Sequence, residues 1–177
     1  MHRQRPATLM TALAISCAAL AHAEDFQQLG THEHGHLTLN VVVEGTLLSV
    51  ELEAPGLNVL GYEHRPRSPA EQRQFDAQDR WLRSGREAVG VPPAAACRLE
   101  KVTVSSPDWS AARAGEDHGD YRVNWRFRCA NAGVLAWFEP WMLEKLLGVN
   151  QVEVNLINGN LQTRLAAGGP RQRLALR

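Results

Sequence analysis

The chain is poor in cysteine, in net charge and in long apolar runs, and each shortage removes a class of protein. Its 177 residues hold three cysteines, Cys17, Cys97 and Cys129. None belongs to a C-x-x-C pair, so a thiolate zinc site has little sequence support. Basic and acidic residues balance at 19 each. That balance gives no case for nucleic acid or for an anionic membrane surface as partner. No internal repeat is present, which sets repeat architectures aside. After residue 23 no apolar segment is long enough to span a bilayer. H-x-H-x-D-H does not occur, so one common opening of metallohydrolase sites is missing.

What is present begins with an export leader. Residues 1–23 read as a signal peptide: a basic start at His2, Arg3 and Arg5, a mostly apolar stretch over 7–20, and the A-x-A pattern Ala21-His22-Ala23. Cleavage there leaves residues 24–177, long enough for one domain with a real core and no membrane segment. It removes Arg3, Arg5 and Cys17, so 17 basic residues face 19 acidic ones. Cys97 and Cys129 remain as an even pair in an oxidising compartment, where a disulfide is the default. A zinc thiolate pair is the alternative.

Hydrophobic alternation sets out the scaffold. Strands over 37–43 and 48–52 read as a hairpin around Glu44-Gly45. A two-residue loop there pairs Val43 with Thr46, Val41 with Leu48, Leu39 with Val50 and Leu37 with Leu52. Thr38, Asn40, Ser49, Glu51 and Glu53 then share the other face. Extended backwards, this register sets His36 opposite Glu53. Residues 54–61 read as a loop. Ser68-Pro69-Ala70-Glu71 is a helix start with an N-cap serine, a first-position proline and a capping-box glutamate. The helix is expected to reach about residue 88, with Phe75, Leu82 and Val89 on its apolar stripe beside Trp81.

Further strands are expected over 97–104 and 121–129, around a loop at 107–119. The second points Tyr121, Val123, Trp125, Phe127 and Cys129 inward. A short helix is expected over 140–147. Residues 151–166 read as a hairpin on Asn158-Gly159, pairing Leu156 with Leu161, Val152 with Leu165 and Glu153 with Arg164. The tail from residue 168 is expected to fray. The fold class is α+β: an antiparallel sheet built from β-hairpins, with one long and one short helix packed on it.

Three of the five histidines after residue 23 fall in His32-Glu33-His34-Gly35-His36. In an extended strand alternate side chains point to one face, so three imidazoles at spacing two can converge on one ion. Neutral imidazole is the commonest protein ligand for metals such as zinc. Glu63-His64 forms a second acid–imidazole pair in the segment after the first hairpin, placed to return towards His34. Glu116-Asp117-His118-Gly119-Asp120 is a further run of oxygen and nitrogen donors, which reads more simply as a solvated acidic loop.

Residues 31–68 carry His-x-His-Gly, then Leu-x-Leu-x-Val-x-Val-Glu-Gly, then Glu-Leu-Glu-Ala-Pro-Gly-Leu-Asn-Val-Leu-Gly-Tyr-Glu-His-Arg-Pro. This stretch resembles the ZrgA-like periplasmic zinc-binding proteins, a family long known only as a domain of unknown function. The likeness continues through the Arg-Phe-Arg-Cys strand and the final hairpin. It implies a periplasmic zinc binder linked to zinc acquisition. His32 and His34 match the family's first motif and His64 its second; His36 falls outside. Many relatives carry a long His/Asp/Glu-rich insert where this chain has only residues 116–120, which argues against loading with several ions.

The expected function is therefore a non-enzymatic periplasmic protein that buffers zinc or delivers it for uptake. Its partner would be a zinc importer or the importer's solute-binding component. The expected ligands are His32, His34 and His64, with His36 and His118 as further candidates. Cu2+ or Ni2+ would also suit so nitrogen-rich a site. The competing readings are a zinc-dependent hydrolase, since three histidines with an open water position form a catalytic arrangement, and a structural or adaptor domain whose histidines are incidental.

Overall fold

The computed structural model describes residues 34–107, 109 and 119–176. The leader, His32 and His118 lie outside the described residues. The elements in chain order are β1 (His36–Glu44), β2 (Leu47–Pro55), α1 (Gly56–Leu60), α2 (Pro69–Ser84), β3 (Cys97–Ser105), β4 (Asp120–Cys129), β5 (Trp137–Phe138), β6 (Gln151–Asn158), β7 (Leu161–Ala166) and β8 (Leu174–Ala175). Six strands form one sheet in the order β3-β4-β2-β1-β6-β7, and β5 with β8 forms a small second one. The fold is α+β. The sheet is not wholly antiparallel, because β1 and β6 run parallel at its centre.

Period-two alternation explains the main sheet. Leu37, Leu39, Val41, Leu48, Val50 and Leu52 are all fully buried on one face. Tyr121, Val123, Trp125 and Cys129 continue that face across β4, and Val152, Val154 and Leu156 across β6. The opposite face carries the polar set, joined by contacts such as Asn155 Nδ2 to Asn40 Oδ1 at 3.0 Å and Arg122 Nε to Glu53 Oε1 at 3.2 Å. One face is thus packed and the other polar, as antiparallel sheets allow.

Both hairpin registers differ from expectation by two residues. Val43 pairs with Leu48 and Glu44 with Leu47, and Glu53 lies opposite Thr38, not His36. In the second hairpin Asn158 pairs with Leu161 and Val154 with Leu165. The cause is the glycine. Gly45 and Gly159 each take φ +57, and neither Thr46 nor Asn160 has positive φ. Glycine is therefore the first of the two loop residues, the pattern of a II′ turn. A shift of two keeps every side chain on its face, so the segregation survives. The Glu153–Arg164 pair also survives, as a diagonal contact of 3.4 Å.

Residues 54–61 are not all loop, since α1 occupies Gly56–Leu60. Helix α2 starts as expected. Ser68 Oγ accepts from Glu71 N at 3.2 Å, while Glu71 reaches back to the Arg67 amide. It stops at Ser84, short of residue 88, because Gly85 takes φ +58 and caps it. Val89 therefore lies beyond the helix, and Leu82 is its one fully buried side chain among the described residues. Trp125 Nε1 donates to the Leu82 carbonyl at 2.9 Å, which ties the helix end to the sheet.

Two later segments also depart from expectation. The helix expected over 140–147 is a 3-10 turn over Trp141–Lys145, and Leu146 is already extended. The tail does not fray. β8 pairs with β5, and Leu174 and Leu176 are buried. Arg171 stacks on Trp141 at 4.6 Å and Arg173 on Trp137 at 4.3 Å. Arg173 Nε also donates to Glu139 Oε1 at 2.9 Å, and Trp141 Nε1 to Glu139 Oε2 at 2.7 Å.

The Trp141 indole and the Arg173 guanidinium hold the Glu139 carboxyl below its ordinary value of 4.5. A depressed folded value means that this latch is fully present above the unfolded value. It is lost as pH falls through the lower, folded one. Protection of the amides at 174–176, taken relative to unstructured peptide at the same pH, should accordingly hold from neutral pH down past 4.5 and fall only below it. Loss of protection at pH 6 would contradict the assignment.

Candidate metal centre

The corner where β1 begins is built around one buried amide. Pro55 closes β2, and the apolar run Leu57, Val59, Leu60 turns into α1, which Gly61 ends at φ +83. Asn58 is the polar exception in that run and is only 2% exposed. Its Oδ1 accepts from Gly35 N at 3.1 Å, and its Nδ2 donates to the Leu147 carbonyl at 2.5 Å. Its own carbonyl accepts from Leu147 N at 2.7 Å, which explains why the 3-10 turn ends at Lys145. The Gly35 carbonyl accepts from Asn150 N and Gln151 N, both at 2.9 Å. Three separate segments are thus tied at Asn58 with its polar atoms satisfied.

Gly35 has no substitute here. Its φ is +86, and an added Cβ would meet the Gly148 carbonyl at 2.7 Å and come closer still to Asn150 Nδ2. Gly35→Ala should lower stability by about 1 to 3 kcal/mol through backbone strain and contact. Chemical denaturation measures this, and an unchanged midpoint would refute the account.

The knot presents His34 to Glu63. His34 Nε2 lies 2.9 Å from Glu63 Oε2. The imidazole is 51% exposed and the carboxylate only 12%. Glu63 Oε1 also accepts from Leu57 N at 3.4 Å, so α1 helps to aim the carboxylate. A carboxylate only accepts, so in this pair Nε2 carries the proton and Nδ1 keeps its lone pair. An ion can then bind Nδ1 with Glu63 behind as the orienting carboxylate, or replace the proton and bind both groups. A cavity of about 230 Å³ adjoins His34 and is also lined by Leu57, Asn58 and Leu147.

The other expected ligands have different settings. Gly35 breaks the extended backbone between His34 and His36, since β1 starts only at His36. The alternation that was to gather these imidazoles therefore does not extend back to His34. His36 lies on the polar face beside Gln151 of β6. His64 follows Glu63 but stacks on Tyr62, ring centres 4.9 Å apart. Its Nδ1 faces the Arg65 carbonyl at 2.9 Å. That carbonyl fixes the proton on Nδ1 and leaves Nε2 with the lone pair. Tyr62 donates to the Glu71 carbonyl at 2.8 Å, and burial first, then Glu71, raises its hydroxyl above the ordinary value.

The chain re-enters the described structure next to this corner, where Gly56 N donates to the Gly119 carbonyl at 2.9 Å. His32 and His118 lie outside the described residues. Among the described residues, no three His, Cys, Asp or Glu side chains gather at one point. Glu63 was visible in the sequence as half of an acid–imidazole pair. Asn58 was not singled out, although a lone polar residue inside an apolar run was the available signal.

The donors at this corner are nitrogen and oxygen, the chemistry of proteins that handle borderline divalent ions. The chain belongs to the ZrgA family of zinc uptake proteins, whose profile matches residues 31–176. No curated protein matches it. The disulfide expected between Cys97 and Cys129 is present, between directly paired residues of β3 and β4.

Proposed function

We propose that this protein binds zinc as cargo in the periplasm and buffers it or delivers it for uptake. The recipient would be an importer or the importer's solute-binding component. The observation that carries this reading is the His34–Glu63 pair, 2.9 Å apart and braced through buried Asn58. His32, two residues before His34, and His64, next to Glu63, complete the proposed donor set. His36 and His118 are the outer candidates. Imidazoles with a carboxylate or water suit tetrahedral zinc, and Cu2+ or Ni2+ would also be accepted. The leader-like residues 1–23 and the disulfide support export to an oxidising compartment.

The role proposed is binding and transfer, not turnover. Elemental analysis of untagged protein purified from the periplasmic fraction, followed by calorimetric zinc titration, is the test. About one tightly held zinc ion per chain is expected. Protein recovered only from the cytoplasm, or zinc affinity no better than that of an unrelated protein, would overturn the proposal.

A further inference from the structure

The polar face of the main sheet is not uniform in charge. At one end β3 presents Arg98 and Lys101, and β4 presents Arg126 and Arg128. The register sets Arg98 directly opposite Arg128 and Lys101 directly opposite Arg126. Like charges in such cross-strand positions destabilise a sheet. Arg128 is relieved by Glu100, with Nη2 to Oε1 at 2.8 Å, and Glu100 sits at the bulge in β3. Among the described residues, Arg98, Lys101 and Arg126 form no ion pair. On its other side Arg126 meets Ser49 of β2, which carries no charge.

Protection of a sheet edge explains only part of this. Edge strands often carry charges and bulges that discourage stray pairing, and β3 is an edge strand with both. Arg126 and Arg128 belong to the interior strand β4, where no such protection is needed. Arg126, directly opposite Lys101 and without an ion pair among the described residues, costs stability there without serving the edge.

Beside these cations lies a groove of about 460 Å³, lined by Ala96, Leu99 and Ala130 together with Arg98, Glu100 and Arg128. Leu99 is 39% exposed there. The groove therefore joins an apolar lining to a cationic rim. That combination fits an apolar side chain flanked by carboxylates. A layer of lipid headgroups offers negative charge but no such side chain. Edge strand β3 also offers backbone groups to an extended chain.

We propose that this face docks a carboxylate-rich, extended segment of a partner protein, seated on Arg98, Lys101, Arg126 and Arg128. The test uses the full mature protein, isotope-labelled, and a short glutamate-rich peptide with a central leucine as probe. At low ionic strength the peptide should bind, with amide shifts confined to β3, β4 and the residues beside the groove. Raising the salt should weaken it, as screening requires. The double variant Lys101→Glu/Arg126→Glu should weaken binding on the order of tenfold or more. The neutral variant Lys101→Gln/Arg126→Gln should weaken it less and should not lower the melting temperature, because it relieves repulsion.

Arg73→Glu/Arg80→Glu changes the net charge equally on exposed positions of α2 and should leave peptide affinity unaltered. Zinc affinity should be the same in all these variants, so this proposal and the metal reading fail separately. Three results would each overturn it: no peptide binding, equal weakening by the α2 variant, or binding to phosphatidylglycerol vesicles through these residues without binding to the peptide.

Discussion

Replacing His34 by alanine is expected to weaken zinc binding by about a hundredfold or more. Loss of an outer partner of a metal ligand costs roughly 10- to 100-fold in affinity, and loss of a ligand itself should cost at least the upper end of that range. Glu63→Gln keeps the shape and one acceptor oxygen but removes the charge that faces Nε2 at 2.9 Å. It should cost about tenfold if Glu63 only orients the ring, and as much as His34→Ala if it binds the ion. His64→Ala should fall between the two, because its Nδ1 is already engaged by the Arg65 carbonyl and only Nε2 is left to donate. Metal and protons compete for the same nitrogens. Apparent affinity should therefore fall steeply below about pH 6.5, where free imidazole takes up its proton. Chelator-buffered titrations of each variant measure these effects. Unchanged affinity in all three, or a flat profile from pH 7 to 5.5 in folded protein, would remove the histidines from the site.

Removing the disulfide is expected to cost about 3 to 4 kcal/mol, roughly 10 °C in melting temperature for a domain of this size. The bridge joins residues 32 apart in sequence, and the loop it closes governs that figure in the chain-entropy account. It also ties edge strand β3 to β4 at the end next to the cationic groove. The Cys97→Ala/Cys129→Ala variant should melt well below the oxidised protein, and reduction should have a similar effect. An unchanged denaturation midpoint would contradict this, as would two free thiols in freshly isolated, unreduced protein.

Elements whose signal is local were legible. The strand at 121–129 alternates cleanly, and the structure has β4 over Asp120–Cys129. Ser68 and Glu71 announced the start of α2, because a cap is a contact between residues three apart. The end of α2 was missed because the apolar pattern runs on past Gly85, which adopts positive φ and stops the helix. The tail looked polar and free, yet Arg171 and Arg173 find two tryptophans and two carboxylates far back in the chain. A pattern read over a few residues does not contain those partners.

The candidate site divides in the same way. That Glu63 would return towards His34 followed from the hairpin's two strands. The alternation argument for the imidazoles failed at Gly35, where φ is +86. The turn there is held by Asn58 and by the amides of Asn150 and Gln151, which arrive from distant parts of the chain.

From its sequence alone this chain determined which side chains of β1, β2 and β4 face the core, where its hairpins turn to within two residues, which cysteines pair and which family it belongs to. These rest on period-two alternation, turn chemistry and motif spacing, all local properties of the chain. Tertiary structure alone decided the parallel pairing of β1 with β6, the anchoring of the tail, the Asn58 knot and the 2.9 Å approach of His34 to Glu63. Each joins segments far apart in sequence. The geometry of such contacts is set when the buried faces pack and leave their polar groups only one set of partners.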